Sequence, residues 1–116
     1  MKLNLDVVPK NLDDAVRILK EAIKDEEEAK QLQDTAGLHF GLGMYLRNNW
    51  SLWDTETVLV QWFKENLGIA HADDLSGTIL EALAASLRGE EFDAKAHVQR
   101  YIEHWKRYGV NPLGNA

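Results

Sequence analysis

A chain of 116 residues, 45% hydrophobic and 28% charged, is long enough to bury one core and too short for a second independent one. Cysteine is absent, which excludes disulfides, thiolate metal centres and cysteine nucleophiles and fits a reducing compartment. A formal net charge of −6 argues against direct DNA or RNA binding, which needs Lys/Arg stripes facing phosphates.

Residues 1–10 read as an N-terminal arm. Residues 3–8 alternate only briefly, and the apolar run there is short and contains Asp6, so no signal peptide is expected. No stretch approaches the length of a membrane span. The expectation is a cytoplasmic protein with no membrane contact.

After Pro9, Asn11 is placed to cap a helix over about 11–25, with Asp13 and Asp14 in its first turn facing the positive end of the helix dipole. Leu12, Val16, Leu19 and Ile23 recur at helical spacing and mark its inward stripe. Residues 25–34 hold strong helix formers with almost no apolar face. They predict a solvated second helix or an extension, and the acidic run Asp25–Glu28 reads as a solvated face.

The stretch from Gly37 to Trp53 holds three glycines and two tryptophans. It predicts a central helix over about 37–49, with Leu38, Leu42, Tyr45 and Leu46 on one face. His39, Gly43 and Arg47 fall at i, i+4 and i+8 on another. Asn48-Asn49 reads as the helix end, because asparagine tolerates the left-handed conformation. Trp50, Leu52 and Trp53 are then expected to fold back onto the core. Each helical glycine costs about 1 kcal/mol relative to alanine, so close packing at these positions is the expected compensation, with a ligand against bare backbone at Gly43 as the sharper alternative.

Asp54 or Thr55 is expected to cap the next helix, with Val58, Leu59, Trp62, Phe63 and Leu67 inward and Gly68 as its stop. Asp73-Asp74 opens another helix, which Leu75, Ile79, Leu80, Leu83 and Leu87 carry to Arg88-Gly89. Asp93 is the candidate cap of the last helix, with Val98, Tyr101, Ile102 and Trp105 inward. Gly109 and Asn111-Pro112 end it, leaving residues 110–116 as a tail. The predicted fold is a single all-α domain over residues 1–116, of about five or six helices packed around the helix at 37–49.

Chemistry is thinly marked. No His-Glu-x-x-His pattern, di-iron Glu-x-x-His pair, P-loop or Gly-x-Ser-x-Gly elbow occurs, so no catalytic residues, metal or cofactor are implied. Arg47 sits among glycines and aromatics. If buried, its guanidinium needs a carboxylate, because an unpaired buried charge is costly; Asp54, Asp73 and Asp74 are the candidates. The alternative is an arginine fork aimed at an anionic ligand or at a partner's carboxylate.

Two blocks carry a resemblance. The first is His39-Phe40-Gly41-Leu42-Gly43-Met44-Tyr45-Leu46-Arg47-Asn48-Asn49-Trp50-Ser51-Leu52-Trp53. The second is Gly68-Ile69-Ala70-His71-Ala72-Asp73-Asp74-Leu75-Ser76. Together they resemble the signature of a small bacterial and phage domain family of unknown function, over roughly residues 8 to 106. That family often has proline where Ala72 stands, which places His71 at a helix cap. The resemblance implies that His39, Arg47, Asn48, His71 and Asp74 form one constellation. Some members of that family sit among toxin, immunity or defence-related genes.

The leading expectation is therefore a protein that binds an unidentified protein partner, as an immunity-type or anti-defence inhibitor. The rival is a small-ligand binder or enzyme with a pocket at His39, Arg47 and Asp74, and a homodimer through exposed tryptophan is a third possibility. Gly43, Asn48 and His71 complete the candidate binding residues.

Overall fold

The computed structural model describes residues 1–3, 6–38 and 40–114. Among these residues there are seven α-helices and no strand: α1 (Leu12–Glu21), α2 (Glu26–Gln31), α3 (Thr35–Leu38), α4 (Leu42–Asn49), α5 (Val58–Leu67), α6 (Ala72–Leu87) and α7 (Ala94–Arg107). The all-α class expected from the periodicity holds. The Cα radius of gyration, 13.7 Å, matches one packed unit of this length, for which about 13 Å per 100 residues is usual. Among the described residues, no helix is long and apolar enough to cross a membrane.

The centre of the fold is α6, not the 37–49 segment. Helix α6 packs against α1, α3, α4 and α7, while α5 lies against α7. The reason is in its composition. Leu75, Ile79, Leu80, Leu83 and four alanines form its sides, and Ala72, Leu75, Ile79, Leu80, Ala82, Leu83, Ala84 and Ala85 are all buried. A helix that is apolar nearly all round can only be stable inside. Its alanines also let neighbouring helices approach on several sides.

The expected helix over 37–49 is broken. Helix α3 ends at Leu38 and α4 begins at Leu42, with turn conformation at Phe40 and Gly41 between them. Gly41 (φ −81°, ψ −84°) precedes α4 without any side-chain cap. Three glycines in seven residues withdraw the propensity that would carry one helix across the gap. Helix α4 ends at Asn49, but neither asparagine takes the left-handed position. Ser51 takes it (φ 52°). That conformation lets the Leu52 amide donate to the Arg47 carbonyl at 3.0 Å, the 6→1 bond of a Schellman-type helix end, just beyond the last helical bond, from the Trp50 amide to Leu46 at 2.9 Å.

Elsewhere the caps follow local chemistry. Asn11 accepts from the Asp14 amide at 2.8 Å, Asp25 from Glu28 at 2.9 Å and Asp93 from Ala96 at 3.0 Å; such caps contribute about 1 kcal/mol each. The α5 start differs from expectation. Asp54 accepts from the Glu56 amide at 2.9 Å and closes a turn of its own, and Thr57 caps α5 through the Val60 amide at 3.3 Å. Val58 becomes the first helical residue and is left 67% exposed rather than inward. Gly68 (φ 72°) stops α5 as expected.

Candidate functional site

Helix α4 meets the first turns of α6, and Arg47 is the side chain at that meeting. It is only 4% exposed. Its Nη1 donates to Ser76 Oγ at 2.8 Å, and its Nε lies 3.4 Å from Asp73 Oδ1. Ser76, fully buried, donates its own hydroxyl hydrogen bond to the Asp73 carbonyl at 3.1 Å. Gly43, one turn earlier, makes the space. A Cβ there would stand 3.1 Å from Arg47 Nη1 and 3.6 Å from a Leu80 methyl. The Asp73 side chain remains 64% exposed, so the pair keeps one hydrated member and avoids the full desolvation of a buried ion pair. As a carboxylate in a first turn, Asp73 also faces the positive end of the α6 dipole.

Asp74 belongs to a different cluster. Successive residues on a helix point about 100° apart, and Asp74 faces α7, where its Oδ2 accepts from Trp105 Nε1 at 2.7 Å. It is 7% exposed. Burial pushes its carboxyl above the ordinary value, while the Trp105 hydrogen bond and His71 pull in the opposite direction. His71 stands at the N-cap of α6 without making a side-chain cap bond. Its ring stacks on Trp105 at 4.1 Å and 24°, and its Nε2 donates to the Asn111 carbonyl at 2.9 Å. The Ala70 amide donates to the Pro112 carbonyl at 3.1 Å. His71, Asp74 and Trp105 thus fasten the segment after α7 to the α5–α6 link.

The structure therefore places the sequence candidates as follows. Gly43 and Arg47 come together with Asp73 and Ser76. His71 and Asp74 come together with Trp105, on another side of α6. Asn48 is exposed, and its Oδ1 accepts from Trp53 Nε1 at 3.3 Å. His39 lies outside the described residues. Among the described residues, no group of three or more His, Asp or Glu side chains could hold a metal ion.

The outward side of α4 carries what sequence reasoning missed. Phe40 is 77% exposed, Met44 48%, Tyr45 39% and Trp53 63%. Met44 and Asn48 share the face opposite Leu46, and Trp53 reaches back to Asn48. Trp53 was expected in the core with Trp50 and Leu52. Those two are 1% exposed, but the left-handed Ser51 reverses the chain, so residues that follow cannot all point inward. A cavity of about 440 Å3, lined by residues 1–3 with Gly41, Leu42 and Tyr45, adjoins this face. Its signal in the sequence is the run Phe40, Met44, Asn48 at a spacing of four, out of phase with Leu42 and Leu46.

The chain belongs to a domain family of unknown function, DUF6794, which it matches over residues 8–87. The Arg47 cluster and the outward side of α4 fall wholly within that span, whereas Trp105 and Asn111 lie beyond it. No curated protein and no solved structure matches the chain.

Proposed function

We propose that this DUF6794 domain works by binding another protein, and that the contact surface is the outward side of α4 with the turn after it. The observation that carries this reading is the exposure of Phe40, Met44, Tyr45 and Trp53, on or flanking α4, with Trp53 returned to that helix by its bond to Asn48. Large apolar and aromatic side chains exposed together cost solubility unless something covers them. Tryptophan and tyrosine are also the side chains that most often dominate binding energy at interfaces. Asp54 and Glu56, both exposed beside Trp53, and the net charge of −6 suit a basic partner, because complementary charge speeds encounter and suppresses wrong partners. In its sharpest form the domain is a soluble cytoplasmic inhibitor of a bacterial or phage protein, of the immunity or anti-defence type. Arg47, in this reading, is a structural pair that fixes α4 so that its other side is presented rigidly.

The test is comparative cross-linking and affinity capture in the native host. The wild type and a Phe40→Ser, Met44→Ser, Trp53→Ser triple variant are each used as bait. Loss of a specific partner with an unchanged helical spectrum supports the reading, and identical capture by both proteins sinks it. Light scattering on the purified protein separates a second copy of the chain from a different partner.

A further inference from the structure

A second feature lies away from α4. A cavity of about 330 Å3 opens between α1, α5, α6 and the segment that precedes α7. Its volume falls at the lower end of small-ligand sites, which run from about 300 to 1,000 Å3. Trp62 and Phe92 line it, with Leu12 and Val16, and both charged residues in its lining are acids, Asp13 and Glu90. Each ring is held by a neighbour: Trp62 meets Phe63 edge-on at 5.3 Å, and Phe92 lies 5.2 Å from the His97 ring. Burial, and then Arg100, hold His97 below its ordinary range, so it stays uncharged near neutral pH and sets no cation behind Phe92.

The two acids differ. Glu90 is bonded to Arg88 Nε at 2.6 Å, and at the rim Lys20 donates to Ser86 Oγ at 3.0 Å. Asp13 makes no ion pair among the described residues. Aromatic rings attract organic cations through their quadrupole, and most strongly where water is partly excluded. A carboxylate at the mouth adds charge complementarity. We propose that this cavity binds an alkylammonium group, carried either by a small free amine or by a lysine side chain. Trp62 and Phe92 are its walls and Asp13 its counter-charge.

The full-length protein is titrated at constant ionic strength with choline and, separately, with its neutral carbon isostere 3,3-dimethylbutan-1-ol, following the Trp62 indole N–H by NMR. Choline is expected to bind about tenfold more tightly than the isostere. Asp13→Asn, an exposed position that caps nothing, weakens choline and leaves the isostere unchanged. Phe92→Leu keeps an apolar wall and removes most of the preference for the cation. An acetylated, amidated trimethyllysine distinguishes the sources. Tighter binding than choline assigns a lysine side chain, and equal or weaker binding assigns a free amine; either outcome supports the site. Equal affinity for choline and isostere, no saturable shift, or an unchanged Asp13→Asn titration overturns it. These outcomes are independent of any change on α4.

Discussion

The two sides of α4 meet different surroundings. Its inward side places Leu46 and Arg47 against α6, with Gly43 cut away to admit the guanidinium, and Trp50 closes the end. Its outward side leaves Met44 and Tyr45 in solvent between Phe40 and Trp53. Trp50 and Trp53 stand three residues apart at 1% and 63% exposure, so a similar chemical change at the two positions should have opposite consequences. The inward side carries the packing that holds α4 to α6, and under the proposed function the outward side is the contact surface.

The largest expected effect is on the inward side. Trp50→Ala should lower stability by about 3–5 kcal/mol, the usual cost of emptying a large buried aromatic site, as read from urea midpoints. Arg47→Ala should follow at about 2–3 kcal/mol. It strips buried Ser76 of its donor, and the cost falls below the full range for a broken buried pair because Asp73 can hydrate. If Arg47→Ala left the midpoint unchanged while abolishing partner capture, the division between the two sides would fail, and the arginine would belong to a binding site.

Gly43→Ala should cost about 1 kcal/mol, because the new methyl meets a guanidinium already fixed by Ser76 and Asp73; the clash outweighs the gain in helix propensity. Gly77→Ala is a sharper version of the same experiment on the other side of α6. There a Cβ would fall 2.8 Å from the Tyr101 hydroxyl, whereas Gly41→Ala meets nothing within 4 Å and should be close to neutral.

The Asp74 cluster predicts a pH effect. The folded state holds the Asp74 proton to higher pH than the unfolded chain does. Stability from this group therefore falls as pH rises from its ordinary 3.8 through the raised folded value. Asp74→Asn keeps an acceptor for Trp105 Nε1 and should remove that fall, measured as urea midpoints between acid and neutral pH. A steeper fall in the variant would contradict the burial of this carboxyl.

The smallest effect on stability is expected for Trp53→Ala, within about 0.5 kcal/mol as for other exposed positions. The same change should abolish partner capture. That contrast with Trp50→Ala is the most direct test of the comparison.

The sequence made some of this legible and left the rest open for definable reasons. The requirement that a buried Arg47 find an aspartate could be read directly, because an unpaired guanidinium cannot be buried cheaply. Which aspartate could not. Asp73 and Asp74 are chemically identical, and their roles separate only by the 100° between adjacent helical residues once α4 and α7 have taken up positions on different sides of α6. The grouping of His71 and Asp74 with Arg47 assumed one site, where α6 carries two clusters. Nothing in the periodicity of α7 foretold that Trp105 would pair with Asp74, or that Asn111 would return to His71.

By itself the sequence determined the all-α class, the cap chemistry at Asn11 and Asp93, and the stop at Gly68, because each is settled by atoms within a few residues of one another. Tertiary structure decided that α6 is the centre, and that Trp50 enters the core while Trp53 remains outside. Hydrophobic periodicity orients a residue about its own helix axis and says nothing about which neighbour, if any, occupies that direction. On α4 the neighbour on one side is α6, and the opposite side carries the exposed ring of Trp53.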